Sequence, residues 1–112
     1  LFTGAVADLS AILAAEVPLE TAIIRTYLRQ LARCPDTLIA RRHGEQTARA
    51  VSARAADLVA LENDPSWPPS LAAFDASLRN PRRLNPATTA DMVAAALYIL
   101  VRDGRLPLPF LP

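Results

Sequence analysis

Two short segments of the chain combine residue types that could bind a phosphorylated ligand. The first, 35–44, holds Asp36, the adjacent pair Arg41 and Arg42, and Gly44. Aspartate can cap a helix N-terminus, arginine is favoured near a helix C-terminus and glycine can end a helix, so the pattern predicts a short capped helix. The same arginines could present a bidentate guanidinium to a phosphate. Spacing alone favours the structural explanation.

The second segment, 85–91, reads Asn-Pro-Ala-Thr-Thr-Ala-Asp. Thr88 and Asp91 are three residues apart, which is the spacing of a capping box at the start of a helix. A capping role explains both residues without a ligand. It also predicts that a helix begins at about Thr89.

A basic loop precedes this predicted helix and contains Arg79, Arg82 and Arg83. A helix N-terminus that follows such a loop is suited to bind an anion. Asp91, in the first turn, could then hold a Mg²⁺ ion that bridges to phosphate oxygens. The residues alone support the capping and the binding roles about equally.

The familiar catalytic signatures are missing from the sequence. The chain has three glycines, and they are not clustered into a phosphate-binding loop. It contains neither an HExxH nor a GxSxG motif. One cysteine and one histidine exclude a disulfide framework and a multi-histidine metal site. Any chemistry must therefore come from Asp, Glu, Arg, Thr and Asn side chains.

The composition indicates a globular domain that does not bind nucleic acid. Of 112 residues, 52% are hydrophobic and 21% are charged, which excludes intrinsic disorder. The net charge is only +1, so a polyanion-coating protein is not expected. All 12 basic residues are arginines, the better side chain for binding phosphate. Aromatic residues make up 5%, too few for a base-stacking surface.

The elements that must position these segments are helices throughout. Alanine is abundant and the apolar residues recur at spacings of three and four, which predicts an all-α fold, a bundle or array of five to six helices. The predicted helices are 4–15, 19–33, 37–42, 45–62, 71–79 and 89–103. The last is apolar nearly all round and is therefore expected at the centre of the fold.

One further pattern lies on the second predicted helix. Arg25, Arg29 and Arg33 are four residues apart and form a row, which we interpret as a solvent-exposed face.

The start of the chain lacks the basic region of a signal peptide, and the longest apolar run, 92–101, is too short to cross a bilayer. We expect a cytoplasmic protein without membrane contact, present here as the C-terminal part of a larger all-helical domain.

Segments 35–44 and 85–91 together resemble those of the triphosphoribosyl-dephospho-CoA synthase family. Its Asp-Thr-x-x-x-x-Arg-x-Gly pattern is matched by Asp36, Thr37, Arg42 and Gly44. Its Pro-Gly-(Gly/Thr)-(Ser/Thr)-Ala-Asp-Leu pattern is matched by Pro86, Thr88, Thr89, Ala90 and Asp91, with Met92 in place of the leucine. The second segment is most similar to the branch that reads Asn-Pro-Gly-Thr-Thr-Ala-Asp. The resemblance extends over nearly the whole chain.

The resemblance implies a transferase that makes a prosthetic-group precursor. Its substrates would be the small molecules ATP and 3′-dephospho-CoA or a related acceptor. Adenine leaves the ribose of ATP, and the triphosphoribosyl group is joined to the acceptor's ribose. The resemblance implies catalytic roles for Asp91 and Asp36 in Mg²⁺ or ribose contacts. It implies phosphate or nucleotide binding by a second set of residues, namely Arg42, Arg41, Thr88, Thr89, Asn85 and Arg83.

One departure from the family pattern leaves an alternative open. Ala87 stands where the family has glycine, which matters if that position needs a positive φ or close approach of a phosphate, and is harmless if it merely begins the helix. The alternative function is a non-catalytic helical module that binds a nucleotide or another protein. Because the last helix is so apolar, we expect the isolated chain to be poorly soluble or to form homo-oligomers.

Overall fold

The computed structural model describes residues 2–80 and 83–104 of the chain. These residues form six helices and no strand, which confirms the predicted all-α fold. The helices, numbered in chain order, are α1 (Phe2–Ala14), α2 (Leu19–Arg33), α3 (Thr37–His43), α4 (Glu45–Ala60), α5 (Trp67–Arg79) and α6 (Ala87–Arg102).

Helix α2 is the centre of the fold, and the prediction that α6 would be central is wrong. α2 packs against α1, α4 and α6, and its residues enter both hydrophobic clusters. α6 buries one face only and leaves Tyr98 65% exposed. The other face of α6 can stay exposed because it carries alanines such as Ala94 and Ala95, whose small side chains can face solvent at little cost.

The core consists of two hydrophobic clusters on opposite sides of α2. The first is formed by α2, α3, α4 and α5, and its largest fully buried side chains are Leu28, Leu31 and Ile39. The second is formed by α1, α2 and α6 around Leu9 and Leu100. α3 reaches the first cluster and α6 the second. The two segments singled out in the sequence therefore approach α2 from different sides of the core.

Only part of the arginine row of α2 is the solvated face that the sequence suggested, because Arg33 is exposed whereas Arg25 and Arg29 are half-buried. Arg33 pairs with Asp8 of α1 at 2.9 Å, and this hydrogen bond raises the pKa of the Arg33 guanidinium. Arg29 forms an ion pair with Glu62, and Arg25 donates to the Glu62 carbonyl oxygen at 3.2 Å. The row therefore ties α2 to α1 and to the segment that follows α4.

Three helices begin earlier than predicted, and the first of them, α1, starts at Phe2 rather than at Gly4. α5 starts at Trp67, because the prolines that follow it need no N–H donor in the first helical turn and suit that position. α6 starts at Ala87 rather than at Thr89.

Arg82 and the tail 105–112 lie outside the described residues. Within those residues, no helix combines the length and the apolar character needed to cross a membrane.

Candidate active site at the junction of the third and sixth helices

Asp36 caps α3, as the sequence predicted. One carboxylate oxygen, Oδ1, accepts hydrogen bonds from the backbone N–H groups of Leu38 at 2.9 Å and Ile39 at 3.2 Å. These are donors of the first helical turn, which have no partner within the helix. Gly44 ends the helix with a φ of +95°, a conformation that favours glycine. The sequence fixes α3 locally at both ends.

The second oxygen of Asp36 binds α6. Oδ2 accepts from the backbone N–H of Thr89 at 2.8 Å and from the Thr89 hydroxyl at 2.9 Å, across 53 residues of sequence. Asp36 is 2% exposed and Thr89 is 5% exposed. One buried carboxylate thus bridges the N-termini of two helices. Both helix dipoles favour a negative charge at this point.

The bridge uses the hydrogen-bonding capacity of both residues. An ionised carboxylate has about four lone-pair sites, and Asp36 has four donors. Thr89 has two donors, one on the backbone and one on the side chain, and both bind Asp36. The donors of Thr89 at the start of α6, where an anion site was expected, are therefore occupied by a carboxyl group from within the chain.

The predicted capping box does not form. Thr88 is the second residue of α6 rather than its cap, and no side chain of the residues before α6 caps the helix. The Thr88 hydroxyl instead bonds to the Thr37 hydroxyl at 2.8 Å. Asp91 lies in the second turn, beyond the reach of a capping role. The cap comes from Asp36 on another helix, which is a tertiary contact that local spacing does not encode.

Thr37 is a site residue that was not singled out as a binding residue from the sequence. It follows Asp36 directly and is exposed, as is its hydrogen bond to Thr88. The sequence contained one indication of its role, which is the match of Thr37 to the family's Asp-Thr pattern. Behind this pair is a cavity of about 40 Å³, which is enough for about one water molecule. Its lining includes Cys34, Thr37 and Met92.

Three charged residues around the junction are exposed, namely Arg41, Arg42 and Asp91. Among the described residues, the structure records no hydrogen bond or ion pair for these side chains. Arg42 follows Thr37 by five positions, roughly 7.5 Å along the axis of α3 at 1.5 Å per residue. Both arginine side chains are exposed; at 3.6 residues per turn, Arg41 lies about 40° and Arg42 about 140° from Thr37 around the axis of α3.

The loop before α6 contributes Arg83 and Asn85, both exposed. The Asn85 carbonyl oxygen accepts from the Ala87 N–H at 2.8 Å, so the loop turns directly into the helix. Ala87 begins α6 and is not among the described residues with positive φ. Of the two explanations for the glycine in the family pattern, the need for a positive φ does not apply in this chain.

The metal expectation can be tested against the donor set. The described residues contain no group of three or more histidine, cysteine, aspartate or glutamate side chains that could hold a metal ion. The oxygens of Asp36 are fully used. Asp91 is the carboxylate with free oxygens, and one carboxylate together with substrate phosphates is a common way for proteins to bind Mg²⁺. The residues fit a metal carried by the substrate, not a protein cage.

Comparison with known proteins connects this junction to one family. The model of the CitG family, described as ATP:dephospho-CoA triphosphoribosyl transferase, matches residues 1–107. The match covers both segments of the junction. No curated protein and no solved structure matches the chain.

Proposed function

The chain belongs to the triphosphoribosyl-dephospho-CoA synthase family, and from this premise we propose that the junction of α3 and α6 forms part of a transferase active site. The observation that carries the proposal is the Asp36 bridge. It joins the two segments that match the family's patterns, although they are 53 residues apart in the sequence. A non-catalytic module is the less favoured alternative, because the family match covers both segments.

The reaction sets the task of the site. The bond between adenine and ribose C1 of ATP breaks, and adenine leaves with the bonding electron pair and takes up a proton. A ribose hydroxyl of dephospho-CoA loses its proton and forms the new bond to C1. The transition state resembles an oxocarbenium ion, so the protein must anchor the triphosphate while positive charge develops at C1.

We assign phosphate binding to the exposed polar groups of the junction. The Thr37 and Thr88 hydroxyls lie together at the ends of two helices, and Arg42 lies further along α3. Arg41, Arg83 and Asn85 are secondary contributors from the same helix and from the loop before α6. Hydroxyls supply neutral donors and arginine supplies a bidentate charged donor.

Asp36 and Thr89 have a different role in this proposal. Their donors and acceptors are satisfied by each other and by α3, so they are positioning residues that hold Thr37 and Thr88 in place. The sequence-based role of Asp36 as a Mg²⁺ or ribose contact would require its four hydrogen bonds to break. We therefore move the metal-binding role wholly to Asp91.

Mg²⁺, if carried by ATP, would be held by Asp91 and the phosphates. When bound, it would neutralise phosphate charge and fix the conformation of the triphosphate. Asp91 is exposed, so it needs no rearrangement to reach such a ligand. We place this reaction in the cytoplasm, with small molecules as the partners. The idea that the chain forms homo-oligomers stays a prediction.

The test is the release of adenine from ATP in the presence of dephospho-CoA, followed by chromatography. Asp91→Asn should lower turnover by roughly 10²-fold or more, as expected when a transition-state interaction is removed. Its melting temperature should be unchanged, because the Asp91 side chain forms no hydrogen bond or ion pair among the described residues. Asp57→Asn, an exposed carboxylate of α4, is the matched control and should keep full turnover. Near-normal turnover of Asp91→Asn, with unchanged Mg²⁺ dependence, would contradict the assignment.

A further inference from the structure

A second concave site lies between α2 and α5. It is a pocket of about 440 Å³, within the roughly 300–1,000 Å³ typical of small-molecule sites. Three aromatic side chains contribute to its walls, namely Tyr27, Trp67 and Phe74. Ala72 and Asp75 of α5 complete the side opposite α2. No role has been assigned to this pocket so far.

We propose that the pocket between α2 and α5 binds an adenine ring. The inference rests on the proposed function, because both substrates in the family description, ATP and dephospho-CoA, carry this ring. The shared chemistry is a flat heteroaromatic base with an amino group at its edge and acceptor nitrogens in the ring. The aromatic walls provide stacking faces for such a base.

The polar groups of the pocket match the edge of adenine. The Asp75 carboxylate is an acceptor for the exocyclic amino group. Its present partner is Arg79, through an exposed ion pair at 3.1 Å, and such pairs are weak and exchange readily. Tyr27 offers a hydroxyl donor to a ring nitrogen. Burial raises the pKa of the Tyr27 phenol, so it keeps its proton at neutral pH.

Trp67 contributes apolar ring surface to the pocket. Its indole Nε1 is buried and has no acceptor among the described residues. Because this atom is out of reach of solvent, the donors and acceptors open to a ligand are those of Tyr27 and Asp75.

The charge around the aromatic walls suits a nucleotide. The Arg25 guanidinium lies 5.7 Å from the centre of the Trp67 ring, and that of Arg54 lies 5.4 Å from the centre of the Phe74 ring. Both substrates carry phosphates close to their adenine. These two arginines lie beside residues of the pocket wall rather than in its lining, where they can attract the phosphates of such ligands.

The single tryptophan of the chain lies in this pocket and provides the measurement. We expect adenosine to quench Trp67 fluorescence saturably in the full 112-residue chain without Mg²⁺. Inosine, which lacks the amino group, should bind at least fivefold more weakly. Inorganic triphosphate and pantetheine, which lack the base, should give no saturable quenching. Titrations with ATP and with dephospho-CoA then show which substrate delivers the ring.

Two alanines of α5 provide matched variants. Ala72→Phe fills the pocket from an exposed position, so folding should be retained, and should weaken adenosine binding at least tenfold. Ala73→Phe places the same side chain on the neighbouring exposed position, outside the pocket lining, and should change binding by less than twofold. ATP or dephospho-CoA, whichever uses the pocket, should lose affinity in Ala72→Phe alone.

Several results would overturn the proposal. These are the absence of quenching by adenosine, equal loss in both phenylalanine variants, quenching by pantetheine alone, or a signal that depends only on protein concentration. The last would indicate that a second copy of the chain covers the pocket. Adenine release in the assay above without adenosine binding at Trp67 would refute the pocket and leave the transferase proposal intact. Adenosine binding without adenine release would refute the transferase proposal and leave the pocket proposal intact.

Discussion

Two regions of the molecule bury polar groups but differ in how many hydrogen bonds those groups form. One is the junction of α3 and α6. The other is the corner formed by α2, α5 and the turn that follows α4. At the junction, the buried Asp36 carboxylate has four donors, and both donors of Thr89 are used. At the corner, three buried polar atoms have no partner among the described residues, and these are Arg25 Nε, Glu62 Oε2 and Trp67 Nε1.

The difference is large in energetic terms. A buried hydrogen bond to a charged group contributes about 1.5–3 kcal/mol, whereas each unsatisfied buried polar atom costs about 1–3 kcal/mol. The junction is therefore a rigid connection whose geometry is over-determined. The corner is an incomplete connection, because these three atoms are buried without a hydrogen-bond partner among the described residues. A site that must hold a triphosphate needs the first property.

The largest effect should follow from breaking the junction. Asp36→Ala removes the acceptor for two N–H groups of α3 and for both donors of Thr89, all in a buried place. We expect a loss of about 4 kcal/mol in the free energy of unfolding, measured by urea denaturation followed by circular dichroism. Adenine release should fall with it.

Two further variants separate the bridge from general damage. Asp36→Asn keeps one oxygen for the cap of α3 but turns an amide N–H₂ toward the donors of Thr89, so it should cost about 2–3 kcal/mol. Asp57→Ala removes an exposed carboxylate of α4 and should change stability by less than about 0.5 kcal/mol. If Asp36→Ala were no worse than Asp57→Ala, the bridge would not stabilise the fold.

Much of the fold could be predicted because it is encoded locally. Helix 19–33 was predicted with the bounds it has, since Pro18 and Pro35 flank a continuous pattern of apolar residues. The cap of α3 was also predicted, because Asp36 and the two N–H groups it binds lie within one turn. Local signals of this kind need no knowledge of the partner helices.

The tertiary part of the site could not be predicted in the same way. The bridge from Asp36 to Thr89 spans 53 residues and depends on how both helices pack on α2. Lacking that contact, the spacing of Thr88 and Asp91 suggested a capping box instead. The start of α5 was missed for a local reason, since the predicted helix 71–79 begins only after Pro68 and Pro69, although prolines suit the first turn of a helix. The role of each threonine also depends on whether it is buried, and the spacing of residues in the sequence does not show which positions are buried.

A buried hydroxyl should matter more at the junction than in the core of α2. Thr89→Val keeps the shape of the side chain but removes one donor to the buried carboxylate, and should cost about 2 kcal/mol, or roughly 10 °C in melting temperature. Thr26→Val is the matched control. The Thr26 hydroxyl donates to the Ala22 carbonyl of its own helix at 2.8 Å, a bond that adds little to stability. Equal losses of stability in the two variants would show that the hydroxyl at the junction contributes no more than the hydroxyl within α2.

A smaller effect is expected from the exposed hydroxyl pair of the junction. Thr37→Val, Thr88→Val and the double variant form a thermodynamic cycle. The coupling energy between the two hydroxyls should be about 0.5 kcal/mol, because their bond is exposed to water. Turnover should fall more than tenfold in either single variant if these hydroxyls bind phosphate. A coupling above about 2 kcal/mol with normal turnover would make the pair structural.

The smallest effect concerns the turn that leads from α4 into the corner. The Asp64 side chain accepts from the Ser66 N–H at 2.8 Å, and this backbone hydrogen bond lowers the pKa of its exposed carboxyl below the usual 3.8. A carboxyl with a lowered pKa stabilises the fold at pH values above 3.8, and this contribution is lost as the pH falls through the lowered pKa. Asp64→Asn retains an acceptor but carries no charge, so it should be slightly less stable than the native chain at pH 7 and equal to it near pH 2. Asp64→Ala removes the acceptor as well and should remain less stable at both pH values. Urea denaturation at a series of pH values measures both differences, and a pH-independent deficit in Asp64→Asn would show that the charge of Asp64 has no part in securing this turn.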